Sequence, residues 1–177
     1  VEALMEEYEV RPDSRPTVGP ARDAADEAEL SAGKGHGGVF VGAALQLPDG
    51  SIPTGRNSPL MHAASSLVIN SIKQLAGIPD QLELLGDNII GSVANLKKDI
   101  LDRKSISLDL GEVLVALSIG ATTNPTARLC MEQRSLLRGC EAHRTHIPPP
   151  GDEKGLRQLG INLTCDPVFA SDKLFVA

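Results

Sequence analysis

Two short polar constellations in this chain carry residue types that could do chemistry. The first is Cys140-Glu141-Ala142-His143. In an extended strand, Glu141 and His143 share one face and Cys140 takes the other. A carboxylate beside an imidazole orients it and raises its basicity, which is the arrangement acid–base chemistry needs. The competing reading is a paired ornament on an edge strand. Cys140, on the opposite face from His143, reads as a small core residue rather than a nucleophile. The second constellation is Thr54-Gly55-Arg56-Asn57-Ser58, just ahead of a helix start. Backbone donors, the positive helix end and Arg56 would together suit an anionic group. Ordinary turn and cap chemistry is the alternative. Asn124, Asn162 and Thr164 are polar positions in apolar surroundings, and each needs a partner if buried.

Stepping outward, the elements around these residues follow from pattern. Val39 to Leu47 is nearly continuously apolar, which predicts a strand buried on both faces. Asp49-Gly50 supplies hairpin turn chemistry. Pro53 in the return strand predicts an edge or a bulge. A helix follows from about Leu60 to Ala76, with His62 nearly opposite its apolar stripe, and Gly77 ends it. A second helix is expected over about Asp87 to Asp102. Asp109-Leu110-Gly111-Glu112 fits a capping box for a helix that is apolar nearly all round and therefore expected to be central. Asn124-Pro125 reads as an N-cap with proline at the first helical position. Strands at Cys140–Ile147 and Ile161–Cys165 flank a short helix capped by Asp152, as a parallel pair with a crossover would. The sum predicts an α/β fold: a three-layer α/β/α sandwich around a mixed sheet. Residues 1–38 read as an acidic, Pro/Gly-rich and partly disordered segment, with a short helix in 1–9, a linker at Arg11–Pro20 and weak helical character over Asp23–Leu30. Residues 39–177 read as the α/β domain.

The hairpin leading into a helix at Leu60-Met61-His62-Ala63-Ala64 resembles a cytidine-deaminase-like fold. Such a zinc site needs a His or Cys ligand on a helix, a C-x-x-C pair on another, and a glutamate two residues after the first ligand to shuttle the proton. His62 matches the first ligand. Ala64 stands where the glutamate would be, and no C-x-x-C exists. No metal site and no cofactor is therefore expected, and His62 reads as a solvated residue of a first helical turn. The Gly-rich run Ser31–Gly38 precedes a strand and lacks the G-K-[ST] ending of a phosphate loop.

Charge narrows the partners. Nine acidic and three basic residues fall in residues 1–30, so that segment carries the whole net charge of −6. The remainder is neutral, and the chain holds three Phe, one Tyr and no Trp. A neutral, aromatic-poor domain lacks the basic stripe and stacking platform of a nucleic-acid binder. Three scattered cysteines point to a reducing compartment. No apolar run approaches the ~20 residues a membrane span needs. A cytoplasmic location is expected. The start at Val1 rather than Met suggests a piece of something longer.

From Val41 to Pro167 the chain resembles the C-terminal part of uncharacterised protein family 0371, also called domain of unknown function 1846. The likeness rests on Leu47-Pro48-Asp49-Gly50, Thr54-Gly55-Arg56-Asn57-Ser58 and Ala63-Ala64-Ser65-Ser66. It continues with Ala121-Thr122-Thr123-Asn124-Pro125, Arg138-Gly139-Cys140-Glu141-Ala142-His143 and Leu159-Gly160-Ile161-Asn162-Leu163-Thr164-Cys165-Asp166-Pro167. The resemblance implies the last third of a longer bacterial cytoplasmic protein, whose upstream region holds a Gly-rich stretch similar to a phosphate-binding loop. It attaches no activity. Two functions follow as expectations. One is a non-catalytic C-terminal domain that packs against the missing N-terminal region or forms a homo-oligomer. The other is an anionic metabolite- or nucleotide-binding part of an enzyme. Its site would draw Arg56, Asn57, Ser58, Glu141 and His143 into one cleft, with Asn124 a further ligand candidate.

Overall fold

The computed structural model describes residues 2–9, 11–100 and 105–170. The sheet has four strands in the order β2-β1-β3-β4, formed by β1 (Gly42–Gln46), β2 (Thr54–Arg56), β3 (Glu141–Arg144) and β4 (Asn162–Cys165). β1 runs antiparallel to both β2 and β3, and β3 runs parallel to β4, so the sheet is mixed. The Pro53 strand is at an edge, where its missing N–H costs nothing.

One face of the sheet is covered by helix α2 (Val18–Glu29). The other carries α3 (Ala63–Leu75), α5 (Leu110–Gly120), α6 (Pro125–Glu132) and α7 (Pro150–Gln158), with α4 (Asp87–Asp99) outside α5. A short helix α1 (Glu2–Glu7) precedes them. This is an α/β/α sandwich. Its core is aliphatic: Leu45, Leu67, Ile72, Leu108, Leu110, Leu117, Leu137 and Leu156 are fully buried. Each such side chain contributes about 1.5–3 kcal/mol of hydrophobic stabilisation.

Several expectations change in the structure. Arg11–Pro20 is not a linker throughout, because a 3₁₀ turn occupies Pro12–Ser14 and α2 begins at Val18. The helical signal of α2 is faint because its buried stripe is Val18, Ala21, Ala24 and Ala28. These small residues let the helix lie directly on the sheet. Gly42 completes the fit: a Cβ there would fall on the Ala21 carbonyl oxygen and within 2.6 Å of the Ala25 nitrogen.

Helix α3 starts at Ala63 rather than Leu60. The backbone of Leu60–His62 is engaged by the chain at Leu108 instead: Leu108 N–H donates to Leu60 O, and His62 N–H donates to Leu108 O. The helix expected to Asp102 is described to Asp99, and Asp102 lies outside the described residues. Asp152 is not a cap. Pro149 holds that position, and Asp152 sits in the first turn of α7. Helix α5 is not wholly central, since Val115 and Ile119 are exposed. The capping box of Asp109 and Glu112 and the Asn124 cap form as expected.

Candidate functional site

Strand alternation puts Arg56, Glu141 and His143 on the sheet face that α2 covers and Asn57 on the other face. On the α2 side, Arg56 pairs with Glu27 at 3.2 Å. Glu141, on the same side, turns to Arg15 and Asn162 rather than to His143. His143 is 4% exposed, with Nδ1 2.9 Å from Thr164 Oγ1 and Nε2 3.4 Å from Asp166 Oδ1. Asp166 in turn accepts two hydrogen bonds from Arg22 of α2, at 2.8 and 3.1 Å. These partners fasten α2 and β4 to the sheet. Asn124 is taken up by capping α6, where its side-chain oxygen accepts from Thr126 and Ala127 N–H.

The two histidines here set a pH dependence. Burial, opposed by Asp166, pushes His143 below its ordinary pKa of 6.5. Burial and the charge of Arg144 do the same to His146. In the unfolded chain both titrate near 6.5. Below that pH the unfolded state takes up protons that the folded state refuses, so stability falls as pH drops from about 7 and levels off below the folded pKa values. The Asp166 carboxyl, held low mainly by the Arg22 hydrogen bond, contributes stability above the unfolded carboxylate value of about 3.9, lost in a separate, more acidic window. We expect the urea midpoint to fall between pH 7 and 5.5, less steeply in His143→Gln. A flat profile, or an unchanged slope in the variant, contradicts this.

The other face holds a cavity of about 460 Å³. Three elements converge on it from beyond the end of β3: the bend after β2, the start of α3 and the start of α7. At their centre is Asp152, with 0% exposure. Its Oδ1 accepts the Leu110 N–H at the start of α5 at 3.0 Å. Its Oδ2 lies 3.0 Å from His62 Nδ1 and 3.4 Å from Arg144 Nη1. A carboxylate only accepts, so the imidazole carries its proton on Nδ1 and leaves Nε2 for another partner. His62 is thus an oriented residue at the N-cap of α3, not a freely solvated one, and no side chain caps that helix.

Arg144 is the unusual member. Alternation along β3 places it with Cys140 and Ala142, facing the core, and it is 4% exposed. Among the described residues, neither its Nε nor its Nη1 has a hydrogen-bond partner. Burial pulls its pKa down, and Asp152 counteracts this. Buried guanidinium N–H groups without a hydrogen bond are costly, so an arginine held this way beside a cavity is suited to receive an anion. Asn57 and Ser58 line the same space, with Val39, Val41, Ile147 and Pro148 as apolar wall. Asn57 is itself structural: its side chain accepts from Val41 N–H and donates to Val39 O, tying down the chain that leads into β1.

Neither Arg144 nor the bridging role of Asp152 was suggested by the sequence. The signal was present: a charged residue two positions from Ala142 on the apolar face of a buried strand must find a partner. Burial raises the thiols of Cys130 and Cys140, which belong to the core. Among the described residues, no three His, Cys, Asp or Glu side chains gather to hold a metal ion, and no helix is long and apolar enough to cross a membrane.

Residues 13–175 match the model of a domain described as the C-terminal domain of unknown function DUF1846. The UPF0371 protein of Clostridioides difficile (strain 630) is 44% identical over 172 residues, covering 97% of this chain and 34% of that protein. The UPF0371 proteins of Clostridium tetani and of Clostridium botulinum (strain Eklund 17B) are 41% and 43% identical over the same shares. The chain spans about a third of the length of these curated relatives.

Proposed function

Because the chain belongs to the family of the C-terminal DUF1846 domain, whose function is unknown, we propose a function from its site: the domain binds an organic monoanion with an apolar body. The observation that carries this is the buried Arg144 beside a cavity, ion-paired to Asp152 yet with no hydrogen bond to its Nε or Nη1 among the described residues. The volume of about 460 Å³ falls in the range of roughly 300–1,000 Å³ typical of small-molecule sites. Asp152 at 3.4 Å offsets much of the Arg144 charge, which favours one negative charge over two. The apolar wall favours a hydrocarbon body over a sugar. His62 Nε2 and the start of α3 supply further polar contacts. The site keeps Asn57 and Ser58 of the original candidates and leaves out Arg56, Asn124, Glu141 and His143, whose side chains are engaged elsewhere.

The test is calorimetric titration of the purified protein with benzoate and hexanoate, and separately with inorganic phosphate, glucose 6-phosphate and AMP. The carboxylates are expected to bind. At 100 times their Kd they should stabilise the fold by about 2.7 kcal/mol. Arg144→Lys keeps the charge but loses the planar fork, so binding should weaken at least about tenfold. His62→Gln, which spares the arginine, should weaken it less. Absence of any anion binding, or full affinity in Arg144→Lys of native circular dichroism, overturns the proposal. Binding of the phosphates alone would refute the monoanion class while leaving an anion site.

A second reading is that the domain also packs against another part of the longer protein. It is favoured by α5, a helix apolar nearly all round that nonetheless exposes Val115 and Ile119.

A further inference from the structure

Helix α5 reads Leu110-Gly111-Glu112-Val113-Leu114-Val115-Ala116-Leu117-Ser118-Ile119-Gly120. One side, with Leu110, Val113 and Leu117, is sealed in the core. The other presents Val115, 61% exposed, and Ile119, 64% exposed. A helix hydrophobic on all sides is normally enclosed. The neighbouring α4 does not enclose this one. Of its thirteen residues only Ile90 and Lys97 are buried, and Leu96 is 50% exposed. Between the two helices runs a groove of about 700 Å³, walled by Ile89, Val93 and Leu96 on one side and Val115 and Ile119 on the other. Lys97 does not reach into it as a free charge, because its ammonium is satisfied by Ser107 O at 2.6 Å and Glu112 at 2.7 Å.

The occupant is narrowed by what surrounds the groove and by the length of the relatives. The opposite face differs in character: the outer side of α2 exposes Arg22, Asp23, Asp26, Glu27 and Glu29. The greater part of each relative's length lies outside the part that this chain matches. That remainder, joined covalently, meets the domain at a high effective concentration and needs no strong interface to stay seated.

We infer that the α4–α5 groove docks an apolar segment from the preceding, N-terminal region of the longer protein. This rests on the reading that the domain packs within that protein, and it adds the surface and the occupant. Contiguous exposed apolar surface of this kind marks interaction sites.

The experiment uses the full-length protein with Ile119→Cys or, separately, Val115→Cys, both at exposed positions where a thiol fits. Thiol labelling is followed peptide by peptide by mass spectrometry, against the rate of the same peptide in denaturant. Docking predicts labelling slowed by about tenfold or more, independent of protein concentration. A photo-crosslinker on the same cysteine should join N-terminal peptides of the same chain. Fast labelling at both sites, with crosslinks from the N-terminal region elsewhere on the domain, refutes the groove while packing survives. Fast labelling with no such crosslinks refutes both. Protection lost on dilution identifies a second copy as the occupant and overturns the proposal.

Discussion

Replacing Asp152 by alanine is expected to cost the domain about 3–5 kcal/mol, the loss seen when one partner of a buried ion pair is removed. The carboxylate is fully buried and serves three groups at once. Without it the Arg144 guanidinium is left in the interior with no counter-charge, the Leu110 N–H at the start of α5 loses its acceptor, and His62 is no longer oriented. Urea denaturation reads the loss as a lower midpoint with an unchanged slope. Asp152→Asn keeps one oxygen for Leu110 but removes the charge, so it should lose a large part of the same stability. Replacing both Arg144 by methionine and Asp152 by leucine should recover much of it, because a well-packed apolar pair avoids the desolvation penalty. A cost below about 1 kcal/mol for Asp152→Ala would mean that water reaches Arg144, and would remove the main support for the anion site.

Gly42→Ala is expected to be nearly as damaging, at about 3 kcal/mol, the upper part of the usual overpacking range. The new methyl would meet backbone atoms of Ala21 and Ala25, which cannot swing aside as a flexible side chain could. Either α2 retreats from the sheet or β1 shifts and disturbs its pairing with β2 and β3. Gly55→Ala should behave alike on the other face, where the Ala63 carbonyl oxygen lies within 2.5 Å of the built Cβ. Gly91 in α4 is the control. Nothing lies within 4 Å of its built Cβ, so Gly91→Ala should raise stability by about 0.5–1 kcal/mol through helix propensity. Equal behaviour of Gly42→Ala and Gly91→Ala in thermal unfolding would show that α2 is not seated as described.

What the sequence made legible was governed by periodicity and punctuation. Within the apolar run Val39–Leu47 a strand forms at Gly42–Gln46, and the Asp49-Gly50 turn, the Asp109–Glu112 capping box, the Asn124-Pro125 cap and the β3–α7–β4 crossover, each with a local signature, also form. Helix α2 was harder to see because alanine packs by being small, which leaves a weak hydrophobic contrast. The surroundings of the candidate site residues were hidden for a different reason. Glu141 and His143 do share a face, but it is the face covered by α2, where Arg15 reaches Glu141 and Asp166, itself held by Arg22, reaches His143. Which charges a covering helix supplies is a tertiary fact that strand alternation cannot disclose. Alternation did contain Arg144, on the side opposite His143. Its partner Asp152, and His62 that Asp152 also holds, lie 8 and 82 positions from it along the chain and become visible only once the helices are placed.

The central strand β1 has a kinetic consequence. One of its neighbours, β2, follows within a short hairpin, but the other closes a loop in which Gly42 and Thr145 are 103 residues apart. Pairing across such a separation is entropically slow and sets a high contact order. During synthesis at about 5–20 residues per second, the nascent hairpin must wait at least about 5–20 s for β3 to be made. Through that interval one side of an almost wholly apolar strand offers unpaired backbone groups, a template for joining another chain. The ribosome-bound intermediate, rather than the finished sandwich, is therefore where this domain is most exposed to aggregation and most in need of a chaperone.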